Sequence, residues 1–452
     1  MQSYIAASLG LMLLLGLTGC ATTHNAARPE PRPLGASLPA GRPPTAAGQP
    51  GTPFVTAPNP SGRLTLREAL TLALSHNPEL HVFAWGIRAR EASMLQAELL
   101  PNPEMVTDLE NVAGTRALRG FDAAEITIGL SQRLELGGDR GTRRAVAARR
   151  LGLAGWDYEA VRLDVFTETT RAFIAVLAAQ ERLMLAHSLL AQARRFYESV
   201  AARVQAGKVS ALEERRAQVV RSTTQMAYER AARDLTVERI RLAATWGRTA
   251  PAFEQVAGDL ATVETVPPYE RLDAFIERNP DVARWRDEMV LRQSEIALEH
   301  ARRIPDPVLT IGTRRLRDLG ETTLSAGIII PLPLFDRNQG AIREAEYRYQ
   351  QGEAAQQAVR VQARQMLRVV YERLATAYAE VTTLREAVLP AAQEHFAATE
   401  EGYREGKFDL LTVLDAQRTL FETTNQYVDA LAAYHTARAE VESLIGTPLS
   451  DV

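Results

Sequence analysis

A seven-residue repeat of apolar side chains runs along the C-terminal part of the chain. Val413, Leu420, Tyr427, Tyr434 and Val441 recur at this interval. A strict seven-residue repeat keeps its apolar side chains on one face of a helix only if that helix supercoils around partner helices. The pattern therefore predicts a long helix that packs sideways against other helices.

This helix is the return arm of a predicted helical hairpin whose tip lies at residues 404–408. The outgoing arm runs from about Gln339 to Glu405, and Pro390 is its one interruption. Roughly 66 residues at about 1.5 Å each make a rod of about 100 Å. Such a rod is too long for a compact domain.

A second hairpin of the same kind lies earlier in the chain, with its tip at residues 206–209. Gly207-Lys208 in the first tip and Gly406-Lys407 in the second are separated by 199 residues. Asn77-Pro78 matches Asn279-Pro280 at nearly the same spacing. Landmarks that keep one order and one spacing predict an internal duplication.

Stretches rich in Thr, Val, Ile and Gly lie between the short helices and the long arms of each half. In one of them, Ile126, Ile128 and Leu130 alternate with small or polar residues. A length of about ten residues with a period of two is typical of strands that cross an outer membrane. Hairpins on a soluble helical rod are the alternative. The predicted strands are 103–113, 124–136, 307–317 and 322–334.

The N-terminus has the features of an export signal. An apolar segment from Ile5 to Leu17 is followed by Thr18, Gly19 and Cys20, the single cysteine of the chain. These residues resemble a bacterial lipobox, in which the cysteine is acylated and becomes the new N-terminus. An ordinary signal peptide cut nearby, or a free thiol, is the alternative. One departure from the pattern is that no Lys or Arg precedes the apolar segment, so only the α-amino group supplies the expected positive charge. We expect a covalent lipid on Cys20 and no other cofactor.

The remaining organisation follows from composition and from the repeat. Residues 21–62 contain ten prolines and few aliphatic residues, which predicts an extended tether without a core. Thr65 and Glu68 have capping-box spacing at the start of the folded part. The predicted units are a signal peptide (1–19), a lipid-anchored tether (20–62), a first repeat (63–250), a linker (251–268), a second repeat (269–447) and a tail (448–452).

Composition and charge exclude several classes of function. A net charge of −3 gives no support for nucleic-acid binding. No apolar run of about 18 residues lies outside the N-terminus, so we expect no membrane-spanning helix. None of the seven histidines lies three or four residues from another, so no helix face offers a paired metal site. We expect no enzyme, because the chain carries no nucleophile motif and no phosphate-binding loop.

Four strands in one chain cannot close a barrel. Lipid offers no hydrogen-bond partner to an open sheet edge, so membrane strands close into barrels, and about eight strands or more are needed. Three chains together supply twelve strands and twelve long helical arms. We therefore expect a mainly α fold with β, in which a homotrimer forms a 12-stranded β-barrel on a 12-helix α-barrel.

The duplicated order of short helix, strand pair and long hairpin behind a lipobox resembles the TolC-type outer membrane factors of Gram-negative efflux systems. The resemblance covers residues 63–447. Particular phrases are similar to the cobalt-zinc-cadmium resistance branch, which serves heavy-metal efflux. These phrases are LLPNPE (99–104), LELGG (134–138), PLPLFDRNQG (331–340), EGYREGK (401–407) and DAQRTLF (415–421).

The resemblance implies a passive exit channel in the outer membrane, with a helical barrel in the periplasm. It implies two protein partners: a periplasmic adaptor and an inner-membrane resistance-nodulation-division pump. The adaptor would bind the tips at Gly207, Lys208, Gly406 and Lys407. On this branch the cargo is heavy-metal cations, and multidrug efflux or type I protein secretion is the alternative. A periplasmic coiled-coil scaffold lipoprotein is the alternative of another class.

The resemblance also assigns roles at the closed end of the tube. Asp415 matches an aspartate of an inward acidic ring, and Glu213 with Tyr403 matches one link between neighbouring hairpins. Phe408 stands where the family pattern has an arginine, and Thr412 stands where it has a second ring aspartate. The resemblance therefore implies a weaker ring with one link missing. The alternative for these acids is an ordinary solvated helix face.

Overall fold

Four long rods of helix lie side by side, and an antiparallel sheet continues them at one end. The computed structural model describes residues 29–39, 57–116 and 119–452. Cys20 and the predicted signal peptide lie outside these residues. The order of elements in the first half is β1 (Gly62–Thr65), α1 (Leu66–His76), α2 (Pro78–Glu98), β2 (Glu104–Glu110), β3 (Glu125–Arg133), α3 (Asp139–Gln205) and α4 (Ala211–Ala244).

The second half repeats this order with small additions. A 3-10 turn, Ile276–Arg278, precedes its first long helix, and a π-helical segment, Leu384–Val388, interrupts its outgoing arm. A further 3-10 turn, Leu449–Asp451, ends the chain. The other elements are β4 (Phe253–Ala257), α5 (Tyr269–Asp273), α6 (Pro280–Ala301), β5 (Val308–Leu316), β6 (Glu321–Ile329), α7 (Gln339–Thr383), α8 (Leu389–Arg404) and α9 (Leu410–Ile445).

At the Asn77-Pro78 break between α1 and α2, the start of α2 meets the end of α4. The Oδ1 of Asn77 accepts hydrogen bonds from the backbone N–H groups of Glu79 and Leu80 at 2.8 and 3.1 Å, which caps the start of α2. Its Nδ2 donates to the carbonyl of Thr245 at 2.8 Å, directly beyond the end of α4. One side chain therefore stacks α2 on α4.

Asn279 makes the same joint in the second half. Its Oδ1 accepts from the backbone N–H of Asp281 at 2.9 Å, and its Nδ2 donates to the carbonyl of Leu444 at 3.1 Å. Leu444 belongs to the last turn of α9, so α6 stacks on α9. The two Asn-Pro pairs that predicted the duplication therefore form equivalent joints, each of which stacks a short helix on the end of a return arm.

The four rods follow a fixed lateral order. The stacked pair α4 and α2 packs against α3, α3 packs against the stacked pair α9 and α6, and this pair packs against α7 and α8. The helix α3 alone has 67 residues, a length of about 100 Å. The seven-residue repeat predicted on α9 faces its neighbours: Val413, Tyr434 and Val441 are buried.

The sheet brings the two halves together. Its order is β2-β3-β5-β6, and every neighbouring pair is antiparallel. The observed strands fall inside or within one residue of the predicted segments and are shorter than predicted. The central pair, β3 with β5, joins the first repeat to the second.

The predicted linker is more structured than its composition indicated. Its residues 253–257 form β4, which pairs in parallel with β1. The hydroxyl of Tyr434 donates to the carbonyl of Glu264 at 2.8 Å. Phe253 from β4 and Trp246 at the end of the first repeat are both 0% exposed. This segment is therefore part of the main core and not only a connection.

The prediction of an extended tether is wrong for residues 29–39. Leu34 is 3% exposed, and the guanidinium of Arg162 donates to the carbonyls of Leu34 at 2.9 Å and Arg32 at 3.2 Å. Glu159 pairs with Arg162 at 2.6 Å and accepts from the backbone N–H of Arg32 at 2.6 Å. Composition could not predict this docking, because it depends on backbone carbonyls and on a buried ion pair of α3.

Replacing Asn279 with alanine removes both the cap of α6 and the donor to the carbonyl of Leu444. We expect a loss of about 1 to 2 kcal/mol in the free energy of unfolding, visible as a lower melting temperature by circular dichroism in detergent. Asn102→Ala in an exposed loop is the matched control. Equal melting temperatures for the two variants would contradict the role of the joint.

Candidate channel elements

One face of the four-stranded sheet is apolar and exposed. Directly paired residues on antiparallel strands point to the same side, and the register places Met105, Leu130, Ile311 and Ala326 in one row across the sheet. Three of these side chains are large, and each is at least half exposed. The other large members of the face are Leu109, Ile128, Leu309, Leu324 and Ile328.

The opposite face of the sheet is polar. Thr127 and Ser131 lie on it, and both are buried. Arg314 reaches Glu125 at 3.1 Å and Glu110 at 3.5 Å, so one cation sits between two carboxylates. An apolar face opposite a polar face is the arrangement of strands that separate lipid from a water-filled interior.

The two hairpin tips are built in the same way. Gly207 and Gly406 have φ of +68° and +78°, a left-handed conformation that terminates a helix and that glycine adopts without strain. Lys208 and Lys407 follow them, and each backbone N–H closes the helix end through the carbonyl of Arg203 or Gly402. These four tip residues are exposed, as an adaptor-binding site would require.

Each tip ends in a side chain that caps the return helix. Ser210 caps α4 through the backbone N–H of Leu212 at 3.2 Å. Asp409 caps α9 and accepts from both the hydroxyl and the backbone N–H of Thr412, at 2.6 and 3.0 Å. These hydrogen bonds lower the pKa of the Asp409 carboxyl. Both the hydroxyl and the backbone N–H of Thr412 are therefore engaged in the N-terminal cap of α9.

Tyr403 connects the second hairpin to the first. Its hydroxyl accepts a hydrogen bond from the guanidinium of Arg203 at 2.9 Å, and that guanidinium lies 5.3 Å from the centre of the Tyr403 ring. Phe196 packs beside the same ring, with centroids 6.1 Å apart. The role of Arg203 could not be predicted from the sequence, because nothing in its local pattern distinguishes it from the many arginines on exposed helix faces.

The other predicted aperture residues lie near the tips but do not converge within this chain. Asp415 is 68% exposed and pairs with Arg418 at 3.0 Å. Glu213 lies in the first turn of α4. The link between Glu213 and Tyr403, and the ring role of Asp415, stay predictions.

Phe408 has a local packing role. A side-chain carbon placed on Gly402 would lie 2.3 Å from the Phe408 ring, so the ring fills the position that glycine leaves open. Phe408 is nevertheless 47% exposed. The residue that replaces the arginine of the family pattern therefore stabilises the tip of its own hairpin.

Two further observations concern metals and membrane helices. Within residues 29–39, 57–116 and 119–452, no group of three or more His, Cys, Asp or Glu side chains is placed to hold a metal ion. In the same part of the chain, α3 alone contains a stretch long and apolar enough to cross a membrane by composition. Phe173, Val176 and Leu177 of this helix are buried in the main hydrophobic core, which accounts for part of its apolar character.

An amphipathic antiparallel sheet continued by two long helical hairpins defines the class of outer-membrane efflux channel subunits. The chain belongs to the outer membrane efflux protein family, whose model matches residues 69–248 and 272–447. The family resemblance predicted from the sequence is confirmed. The chain is therefore an outer-membrane protein whose helical rods lie on the periplasmic side.

Individual relatives share most of their length with this chain. The cobalt-zinc-cadmium resistance protein CzcC of Cupriavidus metallidurans is 33% identical, over 85% of this chain and 91% of the relative. The nickel-cobalt-cadmium resistance protein NccC of Alcaligenes xylosoxydans xylosoxydans is 29% identical, over 67% and 68%. The solved structure of CusC has the same fold, with a TM-score of 0.71, 16% identity, and coverage of 93% of this chain and 97% of CusC.

Proposed function

We propose that the protein is the passive exit channel of a tripartite efflux system that exports heavy-metal cations to the cell exterior. The relatives named for cobalt, zinc, cadmium and nickel resistance support the choice of cargo. The channel adds no chemistry of its own and needs no cofactor. Metal selection then lies with the pump and the adaptor.

The observation that supports the channel function most directly is that the sheet has two open edges. Its outer strands, β2 and β6, each have one neighbour in the described chain, so each leaves one edge of backbone N–H and C=O groups unpaired. In lipid every such group costs several kcal/mol. Three copies joined edge to edge close twelve strands and remove all free edges.

The rods support the same closure. The stacked pair α4 and α2 lies at one side of the helical layer, and α7 with α8 lies at the other. Both outer rods expose large apolar side chains, and because the two surfaces differ, their contact is head-to-tail and can close into a ring. These side chains are Val82, Leu95, Val219 and Met226 on one side and Tyr347, Val361 and Val369 on the other.

The remaining assignments follow from position. The exposed tips at Gly207, Lys208, Gly406 and Lys407 are the surface farthest from the sheet, where a periplasmic adaptor can reach the channel. The adaptor in turn connects it to an inner-membrane resistance-nodulation-division pump. A lipid on Cys20 attaches the N-terminus to the outer membrane beside the barrel.

The first test is the mass of the detergent-extracted complex. We expect a trimer that conducts ions in planar bilayers, because the open edges and the apolar rod surfaces need two neighbours. Native mass spectrometry separates the possible stoichiometries. A stable monomer or dimer, or a trimer without conductance, would refute the proposed channel.

Asp415→Ala tests the acidic ring. In a trimer this change removes three carboxylates from the aperture, which we expect to weaken block by divalent cations about fivefold, because each charge acts within about one Debye length. Single-channel recording measures the block. Glu400→Ala is the matched control, since Glu400 is also an ion-paired acid near the tip. Equal block in both variants would place the selective site elsewhere.

Cys20→Ser tests the lipid. The barrel provides its own membrane attachment, so we expect folding and assembly to persist while radiolabelled palmitate is no longer incorporated. The parental chain is the positive control. Undiminished labelling of the serine variant would show that Cys20 is not the acylated residue.

A further inference from the structure

Charged side chains are divided unequally between the two faces of the four-stranded sheet. The register places the strand carboxylates and two arginines on the polar face: Glu104, Asp108, Glu110, Glu125, Glu321, Arg133 and Arg314. The apolar face carries a single charged residue in these four strands, Arg315, whose paired neighbours are Ile126 and Thr322. A charge on the lipid-facing side of a barrel is costly at the middle of the membrane and nearly free of cost at its boundary.

Arg315 lies at the end of the sheet that is farthest from the helices. Strand β5 begins at Val308, next to α6, and ends at Leu316, so Arg315 is its second-last residue. Large apolar side chains of the same face, such as Ile128 and Ile311, lie in the rows nearer the helices. Because the helices lie on the periplasmic side, Arg315 is at the outer rim of the sheet, where the headgroups of the outer leaflet begin.

The guanidinium of Arg315 is oriented by the sheet but not neutralised by it. Its Nη1 donates a hydrogen bond to the hydroxyl of Thr322 at 3.2 Å. Among the described residues, no carboxylate forms an ion pair with Arg315, whereas Arg314 on the polar face pairs with Glu110 and Glu125. A guanidinium has five N–H donors, and Arg315 is exposed. Most of its donors are therefore available to a ligand outside the chain.

Arg317 adds a second cation to the same side of the rim. Its backbone N–H donates to the carbonyl of Ala124 at 3.2 Å, which extends the ladder between β3 and β5 by one residue. Because side chains two residues apart on a strand share a face, Arg317 lies on the side of Arg315. Within the described part of the chain Arg317 likewise has no ion pair. The adjoining turns expose Phe121 by 59% and Leu319 by 66%, so cations and apolar side chains occur together at this rim.

We propose that Arg315 and Arg317 bind the phosphate groups of lipid A, the phosphorylated glycolipid of the outer leaflet. Guanidinium groups bind phosphate oxygens through paired, charge-assisted hydrogen bonds, and the exposed apolar side chains contact the acyl chains beside the phosphates. A divalent cation could bridge phosphate to protein only through carboxylates, and the described strands carry none on this side. The contact is therefore direct. The inference goes beyond export, and it depends on the sheet crossing the outer membrane and not on the cargo.

The first experiment compares three lipids on the parental complex in detergent, with bound lipid counted by native mass spectrometry. The lipids are bis-phosphorylated lipid A, the same lipid A without its phosphates, and phosphatidylglycerol. We expect phosphorylated lipid A to bind about tenfold more tightly than either of the others, because its phosphate monoesters carry more charge than a phosphodiester and accept charge-assisted hydrogen bonds. Chelation of divalent cations with EDTA should leave this binding unchanged.

Each comparison on the parental complex can overturn a different part of the inference. Equal affinity for dephosphorylated lipid A would overturn phosphate recognition. Equal affinity for phosphatidylglycerol would overturn the assignment to the outer-leaflet glycolipid. Loss of lipid A on addition of EDTA would overturn direct contact with the arginines. None of these comparisons requires a variant to fold.

Variants then locate the site. We expect R315Q/R317Q to raise the Kd for phosphorylated lipid A about tenfold, and R315K/R317K, which keeps the charge but not the paired donors, to raise it about threefold. The matched control is R230Q/R233Q, which removes two exposed arginines from α4 and should bind as the parent does. Parental affinity in R315Q/R317Q, or an equal loss in R230Q/R233Q, would overturn the site.

Conductance in planar bilayers, recorded from the same preparations, separates this inference from the proposed function. A complex that binds lipid A through these arginines but does not conduct would refute the channel and leave the lipid site in place. A conducting complex whose lipid binding does not depend on phosphate would refute the lipid site alone.

Discussion

The structure depends on two asparagine side chains that each serve two helices. Asn77 and Asn279 cap the helix that follows and hold the carbonyl end of the return arm that stacks beneath it. A backbone break would ordinarily leave unpaired donors and acceptors inside a rod. Here each asparagine side chain supplies an acceptor for the first N–H groups of the following helix and a donor for one carbonyl at the end of the return arm. The return arms and the short helices therefore act as long rods, although no continuous segment of chain spans them.

Packing along these rods is uneven. Around the joints, the core contains β4 and the aromatic pair Trp246 and Phe253, whose ring centroids lie 6.2 Å apart, and the hydroxyl of Tyr434 bonds the segment at Glu264 to it. Toward the tips, polar contacts such as that of Arg203 with Tyr403 join the hairpins, and side chains such as Leu190 and Val200 are buried outside this core.

Local rules predicted those features whose causes are local. A seven-residue period predicted the hairpin arms, a two-residue period predicted the strands, and the capping-box spacing at Thr65 and Glu68 predicted a start that the structure contains. The docking of residues 29–39 and the bond between Arg203 and Tyr403 could not be predicted. Each depends on groups that are distant in sequence, and proline-rich composition carries no information on which carbonyl a distant arginine will bind.

Carboxylates at both ends of the molecule are partly neutralised by arginines. Arg314 lies between Glu110 and Glu125 on the polar face of the sheet, and Arg418 accompanies Asp415 near the tip. Bare carboxylates would hold a divalent cation strongly, whereas conduction requires sites that attract an ion and also release it. Because an adjacent guanidinium reduces the local negative potential, paired acids suit a conduit better than a storage site. The pairing is therefore compatible with the proposed cargo, because metal cations must leave the channel as readily as they enter it.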